Sequence, residues 1–344
     1  MTTTRDRYRG CLLGGAVGDA LGAGVEFMSL DEIRGRYGPA GVTGYVPCYG
    51  RSGAITDDTQ MTLFTAEGLL RARQRRGDVR GDDVPGALWT AYQRWLATQR
   101  YRGSAAADGW LNRQEFLHNQ RAPGVTCLSA VEYGRPGTPA QPVNDSKGCG
   151  GVMRVAPAGL AGGDPFALGG QAAALTHGHS SGYLAAAAFA LMISHLAGGG
   201  ALPDAVAAAL AAVRDDPGPG NGDEVIAALA AAVTAAAAGP PSTETMCSLG
   251  AGWVAEEALA VAVYCALTAT SFRSGVLLAV NHGGDSDSTG AICGNLLGAS
   301  LGIGAIDADL LDGLEGRDVI TQVADDLYDV FTEGREPPRQ RYPG

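Results

Sequence analysis

Two places in the 344-residue sequence crowd carboxylates in a pattern suited to cation binding. The run HGGDSDSTGAICG, residues 282–294, sets Asp285 and Asp287 one residue apart, with two glycines before them and the hydroxyls of Ser288 and Thr289 after them. In an extended segment residues i and i+2 project to one side, so this reading aims both carboxylates at one point. The second place is Thr56-Asp57-Asp58. Taken alone it also reads as an ordinary helix start, with threonine as N-cap and acids complementing the dipole. Both clusters consist of carboxylate and hydroxyl oxygens, donors that favour Mg²⁺ or Mn²⁺ over zinc or copper. If they converge, four carboxylates share one pocket, and without cations they would take up protons. Two divalent ions balance the four charges, and a two-metal site with ions about 3.5–4 Å apart is the expected product. A calcium EF-hand fits poorly. Asp285-x-Asp287-x-Thr289-Gly290 imitates its first half, but the twelfth position, which needs a bidentate glutamate, is Leu296.

Other residues could contribute. Glu26 follows the glycine-rich GDALGAGV; such a carboxylate can position water or bind a metal, or stand in solvent as a loop acid. His177 and His179 stand two apart, a spacing that does not turn both toward one ion from a helix. His282 adjoins the Asp285 loop and could brace it. Trp253 lines a pocket or fills a core. The seven cysteines form no CxxC pair, which argues against zinc-finger and redox motifs; buried free thiols in a reducing cytoplasm are expected.

The elements that must position these groups read as helices, near residues 6–22, from Thr56 onward, 83–99, 180–197, 203–213, 223–237, 253–269, 272–280, 288–302 and 317–332. Asp164-Pro165 marks a further start. Residues 29–55 and 101–150 read as glycine-rich or proline-rich loops, and the run at 217–222 as a turn. Gly10, Gly14, Gly18 and Gly22 recur at every fourth position, as do Gly290, Gly294, Gly298 and Gly302. Each helical glycine costs about 1 kcal/mol relative to alanine, so two such stripes predict central helices whose backbones approach closely, against each other.

Composition points the same way. Apolar residues make up 46% and aromatics only 6%, which suits closely packed helices. The net charge of −11 disfavours general nucleic-acid binding. The first residues lack a signal-peptide core, and the apolar run 183–193 is too short to cross a bilayer and reads as a core helix. One all-α, single compact multi-helix domain over residues 1–334 is expected, with a disordered tail at 335–344.

Six blocks in order, GCLLGGAVGDALGAGVEF (10–27), ITDDTQMTLF (55–64), GCGGVMRVAP (148–157), THGHSSGYLAA (176–186), GAGWVAEEALAVAVYCAL (250–267) and NHGGDSDSTGAICGNLLGA (281–299), resemble the ADP-ribosylglycohydrolase family of the dinitrogenase-reductase-activating type. The resemblance implies an all-α fold with a binuclear Mg²⁺ or Mn²⁺ centre and hydrolysis of the bond joining ADP-ribose to an acceptor. It implies metal ligation by Thr56, Asp57, Asp58, Asp285, Asp287 and Ser288. The last stands where the family commonly has threonine, which leaves Ser288 or Thr289 as the hydroxyl donor. It implies catalytic roles for Glu26, Asp58 and Asp287. Substrate contacts are implied for Asp57, for the segment Lys147, Gly148, Cys149, Gly150, Gly151, Val152 and Met153, and for His179 and Trp253. Backbone N–H groups of that segment suit pyrophosphate oxygens, although Cys149 replaces a frequent asparagine. Arg154 meets a phosphate or pairs with a structural acid, and His177 reads as a helix-end residue. Arginine, serine, a nucleic-acid base or a small molecule could each be the acceptor, chosen by residues 101–147. A non-catalytic ADP-ribose-binding or structural protein and a different Mg²⁺/Mn²⁺ hydrolase, such as a phosphoesterase, are the alternatives.

Overall fold

The two glycine stripes lie face to face. α1 (Thr4–Gly22) runs antiparallel to a long helix near the other end of the chain, residues Ser286–Leu301. A β-carbon on Gly10 would stand 2.3 Å from the Gly298 carbonyl oxygen, one on Gly14 2.4 Å from that of Gly294, one on Gly18 1.9 Å from that of Gly290, and one on Gly22 2.3 Å from that of Ser286. Four residues forward on one helix match four back on the other, so the backbones touch along the whole seam. No residue with a side chain fits there without forcing the helices apart, which is why both tolerate interior glycines.

The computed structural model describes residues 2–76, 84–100, 108–216 and 218–343. Among them no β-strand occurs. After α1 come α2 (Leu30–Tyr37), α3 (Asp57–Arg76), α4 (Val84–Arg100), α5 (Val125–Glu132), α6 (Ala156–Leu160), α7 (Pro165–Ala174) and α8 (Ser180–Ala197). Then follow α9 (Leu202–Asp215), α10 (Asp223–Ala238), α11 (Thr243–Cys247), α12 (Ala255–Thr268), α13 (Phe272–Val280), α14 (Ser286–Leu301), α15 (Ala308–Gly313) and α16 (Arg317–Phe331). The α1–α14 pair is the axis of a single compact domain, with α13 and α12 against α14, α16 against α1, and α3 joining α4, α16 and α6 around it.

α8 is 18 residues long and by length and composition could cross a membrane, longer than the apolar run alone implied. It is nevertheless mostly enclosed, packing on α6, α7 and α9. The N-terminus is fixed by a capping box between Thr3 and Asp6 and by Arg9, which grips Asp325 on α16 through Nε and Nη2, both at 2.8 Å.

Two short helices lie where loops are expected: α2 within 29–55 and α5 within 101–150. The tail expected to be disordered is docked instead. Tyr342 is fully buried and donates to Asp326 on α16 at 2.8 Å, and Arg341 forms a forked pair with the same carboxylate at 2.8 and 2.7 Å. Asp83 of the helix over 83–99, residues 101–107 of the acceptor loop, Pro217 of the turn at 217–222 and Gly344 of the tail over 335–344 lie outside the described residues.

Candidate metal centre and cleft

Because Gly22 abuts Ser286, the end of α1 is fixed against the start of α14. Carboxylates from opposite ends of the chain thereby become neighbours. Asp19, fully buried on α1, reaches the start of α3: its two oxygens each accept from the Thr56 N–H at 3.0 Å, and Oδ2 also accepts from the Thr59 N–H at 3.1 Å and the Thr59 hydroxyl at 2.5 Å. Asp19 thus caps α3 from another helix, satisfying first-turn N–H groups that have no partner within α3. The Thr56 hydroxyl adds its own cap by accepting from the Asp58 N–H at 3.3 Å. Behind Thr56, Arg121 holds the Ile55 carbonyl at 2.8 Å while forking onto buried Glu315. Asp57 Oδ2 accepts from the Gly124 N–H at 3.2 Å, which ties α3 to the approach to α5.

On α14 the backbone differs from the extended segment expected. Asp285 is the N-cap and Asp287 sits in the first turn, so the helix begins two residues earlier than its apolar pattern indicated. The carboxylates converge because N-cap and first-turn side chains both project around a helix N-terminus. Asp287 Oδ1 accepts from the Ser288 N–H at 3.0 Å, and the Asp285 N–H is held by the Ala251 carbonyl at 2.8 Å. The Ala251 and Gly252 N–H groups are in turn bound by Glu257 at 3.0 and 3.3 Å. Gly252, at φ +82°, lies where a β-carbon would stand 2.8 Å from the Thr289 methyl. The two hydroxyls separate: Ser288 lines the cleft, whereas Thr289 turns back to the Ala279 carbonyl at 2.8 Å and to His282 Nε2 at 2.9 Å.

Glu26, Asp285 and Asp287 each offer a carboxylate oxygen within 4.8 Å of the others. All three are buried, as are Asp57 and Asp58. Glu26 Oε2 and Asp58 Oδ2 are enclosed without any hydrogen-bond partner in the protein. Burial, then the charges of Asp287 and Asp285, push Glu26 up to about 10. Burial, then Asp287, lifts Asp58 and Asp285 well above the carboxylate range, and burial does the same to Asp57. Asp287 rises to about 7 through burial and Asp19, and Asp19 to about 6 through burial, opposed by its four hydrogen bonds. Such a cluster cannot ionise fully by itself. Orphaned oxygens, an all-oxygen carboxylate set and mutual spacing within a few ångströms fit a hard divalent cation.

The cluster floors a cleft of about 440 Å³, within the range of small-molecule sites. One wall is the turn Gly148–Cys149–Gly150, tied to residues 253–255 by the bonds Cys149 N–H to Trp253 carbonyl at 3.2 Å and Ala255 N–H to Lys147 carbonyl at 2.8 Å. Met153 continues that wall. Residues 122–127, at the start of α5, form an adjoining wall, with Cys127 Sγ 3.7 Å from the Gly150 carbonyl oxygen. Trp253 and Phe27 stack at the rim, ring centroids 6.0 Å apart and planes 20° from parallel. Trp253 is 44% exposed, which settles its choice between core and cleft.

Several expected contacts lie elsewhere. Lys147 points away to Glu224 and Glu256 at 2.8 and 2.5 Å. Gly151 and Val152 are buried beneath the turn and do not reach the cleft wall. Arg154 meets neither a phosphate position nor an acid. It lies buried over the Tyr92 ring, 4.3 Å from its centroid, and donates to the Ala172 carbonyl and the Thr176 hydroxyl. The histidines exchange places. His179 is the N-cap of α8, its Nδ1 accepting from the Ser181 N–H at 3.1 Å. His177 lines the cleft, held by Thr176 at 2.8 Å, and burial with the Arg154 charge lowers its pKa to about 3. Asp19 was missed, and residues 122–127 stood only within the broader acceptor region 101–147. An acid inside a glycine-alanine helix was a visible signal for the first; the second offered only Pro123-Gly124.

Residues 1–337 match the ADP-ribosylglycohydrolase family. A Rhodospirillum rubrum protein named ADP-ribosyl-[dinitrogen reductase] glycohydrolase is 29% identical over 322 residues, covering 91% of this chain and 92% of its own. An uncharacterized Archaeoglobus fulgidus protein is 28% identical over 342 residues, covering 94% and 97%. A solved structure titled ADP-ribosylglycohydrolase-related protein complex superposes with a TM-score of 0.68 at 26% identity, over 96% of this chain and 99% of that one.

Proposed function

The chain belongs to the ADP-ribosylglycohydrolase family, and from that premise we propose that it is a divalent-metal-dependent hydrolase releasing ADP-ribose from an ADP-ribosylated acceptor. The observation that carries this reading is the convergence of Glu26, Asp285 and Asp287 within 4.8 Å, with partnerless oxygens on Glu26 and Asp58.

Thr56, Asp57, Asp58, Asp285, Asp287 and Ser288 would hold two Mg²⁺ or Mn²⁺ ions, with Glu26 beside them. When bound, such ions supply Lewis-acid charge and lower the pKa of water. Residues of this chain do the rest. The cleft positions the distal ribose over the carboxylates, an orientation that removes much of the entropic barrier. The Gly150 N–H and the first-turn N–H groups of α5 would face the pyrophosphate, since the Gly148 and Cys149 N–H groups are held by Ser146 and Trp253. With cations offsetting the charges of Asp287 and Asp285 that hold it protonated, Glu26 would ionise and take a proton from water as the water oxygen bonds to the anomeric carbon. The bond from that carbon to the acceptor nitrogen or oxygen breaks through an oxocarbenium-like state, and the acceptor leaves with the proton that Glu26 took from the water. Unlike the two metal-free carboxylates of common glycosidases, Glu26 works inside a cation-balanced cluster.

The test is a mass-spectrometric panel of differently linked ADP-ribose conjugates with and without EDTA. An ADP-ribosylated protein heads it, because the Rhodospirillum rubrum relative is named for one. Free ADP-ribose appearing only with metal, and lost in Asp287→Ala, supports the reading. Release of inorganic phosphate would make the protein a phosphoesterase. Tight ADP-ribose binding without turnover of any conjugate would make it a non-catalytic member.

A further inference from the structure

The oxygen cluster has a sulfur side. Cys149, on the glycine turn, donates its thiol to Asp285 Oδ2 at 2.6 Å. The Ser288 hydroxyl points between two sulfurs, Cys149 Sγ at 3.6 Å and Met153 Sδ at 3.8 Å. Asp58 and Glu26, which line the same cleft, are more than nine-tenths buried, and each carries an oxygen with no partner. The cation position at Asp285 is therefore bordered by a thiol as well as by carboxylates.

We propose that Cys149 is a ligand at this centre, which gives the chain a mixed oxygen–thiolate position selective for thiophilic divalent ions such as Zn²⁺, Cd²⁺ or Co²⁺. This rests on the metal-centre reading of the same cleft. An ion with metal–sulfur and metal–oxygen distances of about 2.3 and 2.1 Å holds its two donors roughly 3.1–3.6 Å apart. Cys149 Sγ and Asp285 Oδ2 need only separate by roughly 0.5–1 Å to admit it between them. The thiol proton occupies that position in the metal-free protein and passes to solvent as the ion binds. Carboxylate and hydroxyl donors alone favour Mg²⁺ or Mn²⁺, and one thiolate shifts the preference toward softer ions. Such an ion competes with Mg²⁺ for Asp285, so the chain should be inhibited by zinc or cadmium through a single side chain.

The experiment is cobalt titration of the EDTA-treated, dialysed protein, comparing wild type with Cys149→Ser and with melting curves in Mg²⁺ as a check on folding. Expected for wild type are visible d–d bands together with a near-ultraviolet sulfur-to-cobalt charge-transfer band. In Cys149→Ser the d–d bands should persist and the charge-transfer band vanish, and cadmium affinity measured by calorimetry should fall at least about tenfold while Mn²⁺ affinity stays within about twofold. Cobalt bound with no charge-transfer band, or with one that survives Cys149→Ser and so arises at another thiol, exposed Cys247 or cleft-lining Cys127 among them, overturns this proposal and leaves the metal centre standing. No cobalt bound at all overturns both.

Discussion

Gly18 and Gly290 meet backbone to backbone, and a β-carbon on either would lie within 2.5 Å of the other's carbonyl oxygen. This contact, with its neighbours along the seam, fixes where the acids at the two chain ends stand. Gly294→Ala would place a methyl carbon 2.0 Å from the Gly14 carbonyl oxygen. It should cost about 3 kcal/mol or more, at the top of the range for overpacking, and lower divalent-cation affinity by shifting the register of α1 on α14. Gly35→Ala is the control. Gly35 sits exposed in α2 with nothing within 4 Å of the added carbon, and the change should stabilise by roughly 0.5–1 kcal/mol. Urea melts of the two variants check both signs, and equal stability of Gly294→Ala and wild type would refute the seam.

Asp19 is a positioning residue that never needs to touch an ion. Asp19→Asn keeps the shape but presents an amide N–H to N–H donors of Thr56 and Thr59. Metal affinity should fall about 10–100-fold, the usual cost of disturbing groups behind a ligand, and stability by about 1–3 kcal/mol. Calorimetric Mn²⁺ titration gives the first number. Thr59→Val removes one of the four bonds and should lie between wild type and Asp19→Asn; unchanged Mn²⁺ affinity in both variants would remove Asp19 from the site.

The acidic motifs and the helical seam were legible because their signals are local: residue type, adjacency and a four-residue period. Less legible was whatever tertiary contact decides. Asp285 and Asp287 read as extended because alternation is a strand cue, yet Ser288 and the apolar residues after it extend the helix back to Ser286. Which of His177 and His179 faces the cleft depends on α8 starting at Ser180 and using His179 as its cap. The tail resembled a disordered end by composition. Its order comes from Asp326, 15 residues before Arg341 on a helix whose buried acid needs a partner. α2 and α5 are eight residues each, too short for periodicity to stand out.

In the metal-free protein, stability should fall as pH rises from 6.5 to 8.5. The carboxylates have folded pKa values above their unfolded ones, about 7 for Asp287 and about 10 for Glu26. The folded state therefore holds protons that the unfolded chain has already lost. A raised pKa contributes stability that is present at low pH and lost as pH climbs through the folded value, at up to about 1.4 kcal/mol per pH unit for each retained proton. Buried His177 and His282, lowered to about 3 and about 4, act oppositely: their contribution is present above the unfolded value near 6.5 and lost below it, outside this window. Cations replace the protons, so melting temperatures with Mn²⁺ should be nearly flat from pH 6.5 to 8.5 while those with EDTA decline. Parallel curves would show that the acids are not balanced by metal.

Phe27 and Trp253 close the rim from two different segments. Phe27 follows Glu26, and Trp253 lies on the loop whose Ala251 carbonyl holds Asp285. Phe27 is 73% exposed, so the stack is not a core contact; both rings line the cleft. An aromatic pair contributes about 0.5–1.5 kcal/mol beyond its buried area, which corresponds to roughly a two- to tenfold change in an equilibrium constant. Trp253→Ala should therefore raise KM by up to about tenfold, with kcat and Mn²⁺ affinity within about twofold, because neither ring supplies an oxygen to the cluster. Trp253→Phe keeps a ring and should restore most of the loss. Of the four tryptophans, Trp89 and Trp95 are buried and Trp110 is away from the cleft lining, so a fluorescence change on adding ADP-ribose should disappear in Trp253→Phe. A fall in kcat with KM unchanged would instead give the pair a part in the chemistry at Glu26.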